Sequence, residues 1–420
     1  MRTMNRTETS AAPRWRRGVP ILVTLVVVVQ VIQPRWVIES LDLLTSGDAT
    51  ITVANPVDIL LIPFALMAGL ALRRAVRGRP RSLPLWIGAV LMIGGLLSLA
   101  VHPSLRGSVI VFRLVAGLGI IWVLAQFSKG EFAWNLALPI MVVAAFEGLL
   151  TIAQLTTDSA VLPGWAGAAA PVTIDGVERA AGTLGHAHEI ATLGLIAVAL
   201  GIAAYRTMPR LHRRGWLIPL TLAAIPVAVS FSRAALLAAV LLVAVLVSGM
   251  VRESKIWWPA LAAVTIGLAV PAVFFAGGWA DRVEQSIGGA EESGFNIRTE
   301  QLEQARGLIE TDWLIGVGPG LYPTTLEERA GLVPPNAYLV HDVPMYIAVE
   351  DGAVVGGLLV LIAAGLAIQA LWRSTENRAL FLAPIPFLIF DHLLYTAPVG
   401  LVMLALWLGG LAALESRPEL

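Results

Sequence analysis

The chain contains no cysteine, so disulfides and thiolate chemistry are both excluded. It is also poor in charge: 14% of residues are Asp, Glu, Lys or Arg, against about 25% in soluble domains. Its glycine-dense turn, Gly316-Val317-Gly318-Pro319-Gly320, lacks the Lys-Ser/Thr of a nucleotide loop and has no strand before it. The His-Glu-x-x-His pattern of a zinc hydrolase does not occur. No internal repeat and no inverted hydropathy symmetry relate the two halves, which counts against the repeat folds of many transporters. Strict period-2 alternation is weak, which rules out a transmembrane β-barrel.

What the chain has is apolar length. Hydrophobic residues make up 57% of its 420 positions. Runs of about 20 apolar residues recur, each long enough to cross a bilayer as a helix. The fold class expected is an all-α polytopic membrane protein in which 1–420 form a single membrane domain. About twelve spans are expected: 18–35, 54–72, 84–101, 108–126, 133–154, 188–205, 215–231, 234–250, 257–277, 353–371, 379–394 and 398–414. The tenth has an alternative start near Val343. The run from Val19 lacks a small-residue cleavage site and reads as a retained first helix.

Net charge is zero but unevenly placed. With the N-terminus inside, most of the 29 Lys and Arg fall in inner segments: Arg2 to Arg17, Arg73 to Arg81, Lys129, Arg206 to Arg214, Arg252 and Lys255, Arg373 and Arg378, and Arg417. Both termini are then cytoplasmic, and the acidic residues gather outside. Two outer loops are long, 156–185 and 279–352. In the second, Asp281 to Asn296 is polar and expected to be irregular. Ile297, Leu302, Ala305, Leu308 and Ile309 recur at near-helical spacing and predict a surface helix from about Arg298 to Glu310. The Gly-Pro cluster ends it.

Several residues carry candidate chemistry. Arg233 lies in the tight outer turn Ser230-Phe231-Ser232-Arg233, where a guanidinium grips phosphate oxygens in a planar, bidentate way; a snorkelling arginine at a helix end is the alternative. Arg298 opens the loop helix, whose N-terminus favours anions. Arg306 shares its face, with Glu300, Glu303 and Glu310 offering ordinary ion pairs. His341, followed by Asp342, titrates near neutrality and is a candidate general base that Asp342 or Glu350 would orient. No partner ligands stand at metal spacing, so no metal is expected. Arg179 and the start Gly185-His186-Ala187-His188-Glu189 are read as shaping a substrate cleft; His186 and His188, two apart, do not share a helix face. Arg113 and Glu147 are intramembrane, and Asp58 and Asp391-His392 lie near the outer face. Such charges are functional candidates by default, although pairing of Arg113 with Glu147 or Asp58 is an equally physical use.

The ordered set resembles the O-antigen ligase / O-antigen polymerase family. It comprises Arg179 with Gly182-Thr183, Ser232-Arg233-Ala234-Ala235, Arg298 leading through Trp313 to the glycine turn, and His341-Asp342 before Glu350-Asp351-Gly352. Asp342 departs from the family's usual Asn, and His186-Ala187-His188 from a more usual Pro-Asn pair. The resemblance implies a metal-independent, inverting glycosyltransferase of the bacterial inner membrane, with its site on the outer face. It would move a glycan from undecaprenyl pyrophosphate to an acceptor hydroxyl, with no cofactor and no nucleic-acid partner. His341 would be the general base, Arg233 and Arg298 would bind the pyrophosphate, and Arg179, Arg113, His186 and His188 are possible substrate contacts. Ligase and polymerase share this donor chemistry. A transporter or flippase, or a non-catalytic scaffold, are readings from other classes.

Overall fold

The structure is a computed structural model. It describes residues 56–77, 83–162, 170–174, 177–180, 182–184, 186–253, 255–287, 290–331 and 339–415, together with Leu22, Leu25, Val26 and Val29. The remainder of the expected first span lies outside the described residues; the four described ones are helical.

Almost every described element is helical. A 3-10 turn, Pro56–Leu61, leads into α1 (Ile62–Arg77). Then come α2 (Leu83–Val101), α3 (Leu105–Leu124) and α4 (Leu138–Thr157), the last entered through a π-helical segment, Phe132–Ala137. A two-stranded hairpin, β1 (Val172–Ile174) with β2 (Val177–Arg179), precedes α5 (Ala187–Tyr205). After it come α6 (Arg210–Ala223), α7 (Ile225–Val229), α8 (Arg233–Arg252) and α9 (Trp258–Phe274). The polar stretch that follows folds into α10 (Ala276–Ile287), α11 (Ala290–Thr311), α12 (Tyr322–Ala330) and α13 (Val343–Asp351). The chain closes with α14 (Ala353–Trp372), α15 (Thr375–Leu382), α16 (Ile385–Phe390), α17 (Leu393–Thr396) and α18 (Pro398–Glu415).

Seven of the helical segments are long and apolar enough to cross a membrane. Their burial sorts them. The span of α5 is 94% buried and forms the spine of the bundle, whereas that of α14 is 22% buried. An apolar helix with most of its surface uncovered, including Leu361, Ile368 and Trp372, suits a lipid-facing position. On one side α3 packs against α1, α2 and α18; on the other α4 packs against α5, α6 and α7.

Two expected spans are interrupted. The segment 215–231 breaks at Ala224 between α6 and α7, where Pro226 lacks the N–H that would continue the helix and its ring crowds the carbonyl four residues back. The segment 379–394 divides into α15, α16 and α17, with Pro384 and Pro386 at the first break and Asp391 extended at the second. The polar residues from Asp281 are helical rather than irregular, and the loop helix begins at Ala290, eight residues before Arg298. Glu, Gln, Arg and Ala there are good helix formers; their polarity records exposure, not loss of structure.

The alternative start of the tenth span resolves into two helices. α13 begins at Val343, but Gly352, at φ +97°, separates it from α14. There Ala353 N–H donates to Trp313 O at 2.7 Å. The glycine turn wraps this joint: Val317 and Gly318 N–H donate to Val349 O and Glu350 O at 2.9 and 3.0 Å, and Ser98 Oγ donates to Glu350 O at 2.8 Å. Two amides of the turn are thus spent on backbone.

The opposite end of the bundle carries a polar clamp. Arg206 reaches Glu253 and Glu376 at 3.3 and 3.2 Å, and Arg378 reaches Glu253 at 2.8 Å. Arg206 directly follows the last residue of α5, and the 19 residues of that helix set this clamp about 28 Å from His186 at its other end.

Candidate active site

His341 lies in the segment leading into α13 and is partly buried. Its carboxylate neighbour does not orient it. Asp342 is the N-cap of α13 and accepts the Met345 N–H at 2.7 Å. Glu350 is buried one helix length away, close to Arg106, Gly320 and Tyr346. His341 instead places Nδ1 3.1 Å from Oε1 of Gln301, on α11. Its ring meets His392 edge-on, centroids 5.0 Å apart.

His392 belongs to the break after α16 and is fixed by Thr396, whose Oγ1 is 2.8 Å from its Nδ1. Its neighbour Asp391 is buried and holds His188 Nδ1 through Oδ2, while Oδ1 accepts the Leu393 N–H at 3.0 Å. His188 lies in the first turn of α5, and Thr192 Oγ1 ties that turn to its carbonyl at 2.8 Å. His186 caps the same helix: its Nδ1 accepts the His188 N–H at 3.2 Å, so its ring proton sits on Nε2. The two rings touch, centroids 5.0 Å apart. A spacing of two prevents a shared helix face, but His186 stands just outside the helix and folds back onto it.

Four imidazoles from three chain segments thus surround one carboxylate, Asp391. Burial pushes His341 below its ordinary pKa; Asp391 opposes this, while Arg298 and His188 reinforce it. His186 is pushed down to about 4, chiefly by burial, with His188, Arg179 and His341 adding to the effect against Asp391. Both rings are therefore neutral at pH 7. Among the described residues no three His, Asp or Glu side chains converge as a metal-chelating group; the imidazoles meet ring to ring.

The sequence-derived residues divide accordingly. His341, His186 and His188 come together, with Arg298 and Arg179 near enough for their charge to act on them. Arg179, at the end of β2, is 5% exposed. Arg298 is exposed on α11, on the face continued by buried Gln301, Ala305 and Leu308. Arg306 pairs with Glu310 at 2.7 Å on the exposed surface, the ordinary ion pair weighed for it. Arg233 is the exposed first residue of α8, behind the N-cap Ser232, whose side chain accepts the Ala235 N–H.

The turn before Arg233 is backbone-strained. Phe231 is buried with φ +50°, a conformation a bulky side chain rarely takes. Its ring meets Trp279 of α10 edge-on, centroids 5.5 Å apart, and Trp279 Nε1 donates to Ala228 O at 3.0 Å. α10 also packs against β2, so one helix buttresses the segments that carry Arg233 and Arg179.

Arg113 has a different use. Its Nε and Nη2 donate to Asp58 at 3.0 and 2.9 Å. Glu147 accepts the Thr183 N–H and Oγ1–H at 2.8 and 2.6 Å, which ties α4 to the turn before α5. Sequence reasoning missed Gln301 and left Asp391-His392 outside its site. The signal for the latter was present: a charged pair inside an apolar span already interrupted by two prolines.

Residues 218–362 match the O-antigen ligase family Wzy_C. Neither a curated protein nor a solved structure matches the chain. The matched region contains Arg233, Arg298, Gln301 and His341; Arg179, His186, His188 and Asp391 come from the flanking sequence.

Proposed function

Taking an O-antigen ligase domain set in a helical membrane bundle as the premise, we propose that the chain transfers a glycan from undecaprenyl pyrophosphate to an acceptor hydroxyl. The approach of the Arg298 and Arg179 guanidinium groups to the neutral imidazoles of His341 and His186 supports this reading. His341 takes the acceptor O–H proton on Nε2 as the oxygen attacks the anomeric carbon. The bond from that carbon to the pyrophosphate oxygen breaks, and the electron pair leaves with the lipid pyrophosphate. Displacement from the opposite face inverts the anomeric centre. Fixed guanidinium groups at Arg298 and Arg233 stabilise the charge that develops on the leaving group. Arg179, with His186 and His188, lines the acceptor side.

In this reading the Arg206–Glu253–Arg378 clamp lies at the cytoplasmic end and the imidazoles at the outer one. An outward site has no supply of nucleotide sugars, and a membrane-borne donor meets that need. Arg113 is assigned to structure through Asp58 rather than to substrate.

Purified protein incubated with an undecaprenyl-pyrophosphate glycan and candidate acceptors tests the proposal. His341→Ala and Arg233→Ala are each expected to lower transfer by 100-fold or more, the lower bound of about 10²–10⁴ that general-base and charge-stabilising groups supply, with melting unchanged. Normal turnover in either variant removes the role assigned to it. Product length separates single transfer from chain growth.

A further inference from the structure

We propose that Gln301 is the positioning residue that holds His341 in the tautomer and orientation a general base requires. This rests on the reading of His341 as the base.

Gln301 is 2% exposed, and a buried amide needs a partner. Its Oε1 stands 3.1 Å from His341 Nδ1. An amide oxygen only accepts, so the proton resides on Nδ1 and Nε2 keeps its lone pair. His392 lies against the ring and restrains its rotation. The adjacent carboxylate that would otherwise do this work, Asp342, is committed to the start of α13.

A neutral orienting group differs in kind from the carboxylate of a Ser-His-Asp arrangement. It fixes the tautomer without adding negative charge that would strengthen the base and keep it protonated. The charged and titratable groups facing His341 are Arg298 from α11, His186 and His188 from the start of α5, and Asp391 and His392 from the break after α16. Asp391 is thus the one carboxylate in the set, at a remove, and it is tied to His188.

Gln301 also shares its helix face with Arg298, one turn earlier. α11 therefore presents the guanidinium assigned to the pyrophosphate and the holder of the base on one helix. Movement of that helix shifts both together.

Three variants and two readouts test the inference. With an undecaprenyl-pyrophosphate glycan as donor, Gln301→Leu is expected to lower kcat about tenfold or more, a part of the about 10²–10⁴ that a general base contributes in full, with donor KM unchanged. Gln301→Glu keeps an acceptor on Nδ1 but stabilises the imidazolium. The acid limb of its pH profile therefore moves to higher pH, while turnover at alkaline pH is retained. Wild-type kcat and an unshifted profile in both variants overturn the inference. If His341→Ala is itself active, the reading of the base fails instead, whatever position 301 does. The second readout needs no substrate. In ¹⁵N-histidine spectra, with His341→Ala to assign the signal, His341 is expected to be protonated on Nδ1 in the wild type; protonation on Nε2 overturns the inference.

Discussion

His186 shows how one residue serves structure and electrostatics together. Its Nδ1 satisfies a backbone donor at the start of α5, and its ring lies in a cluster where a further positive charge is unwelcome. Its pKa in the folded state, about 4, lies below the 6.5 of an ordinary histidine. The unfolded chain therefore binds this proton first as pH falls. The residue's contribution to stability is complete above pH 6.5 and drains away between 6.5 and 4. His186→Asn keeps an N-cap side chain but cannot titrate. Its melting temperature is expected to fall less than that of the wild type over that interval; parallel melting curves would contradict this. Much of this residue's setting was legible in advance: a polar start to an apolar span. Its contact with His188 was not, because helical spacing describes residues inside a helix and His186 is outside it. Gln301 was likewise hidden, since a lone glutamine on a polar helix carries no pattern until a histidine forty positions later folds over it.

At the level of elements, the spans that were read correctly are those where apolar length and uninterrupted backbone coincide. α2, α3, α4, α5, α8, α9 and α14 each follow a run of this kind. The two that break, 215–231 and 379–394, do so at prolines, and one of these breaks is what delivers Asp391 and His392 to the imidazoles. Hydropathy averages over such interruptions and so passes across the feature that builds the site. Arg113 illustrates the same point in reverse. Its depth marked it as a candidate, but its pair with Asp58 joins α3 to the turn before α1. Removing one partner of a buried pair costs about 3–5 kcal/mol, while replacing both with apolar residues is often neutral. Arg113→Met alone should therefore lower the melting temperature strongly, and the double variant with Asp58→Leu should recover it and retain transfer. A stable double variant without activity would return Arg113 to the substrate.

For the whole molecule, the separation of a charged clamp from a histidine cluster by the length of α5 gives the bundle two chemically distinct ends. The lack of cysteine makes their sidedness directly measurable, since any introduced thiol is the only one present. Glu303, exposed on α11, and Arg210, exposed at the start of α6, report the two ends. Glu303→Cys is expected to react with an impermeant maleimide in intact cells, and Arg210→Cys only after lysis; the reverse pattern would invert the orientation. The joint at Gly352 ties these ends to their surroundings. Through it the short helix that follows His341 turns into α14, much of whose surface the described residues leave uncovered. That joint therefore stands between the segment that carries His341 and the least buried of the seven apolar spans.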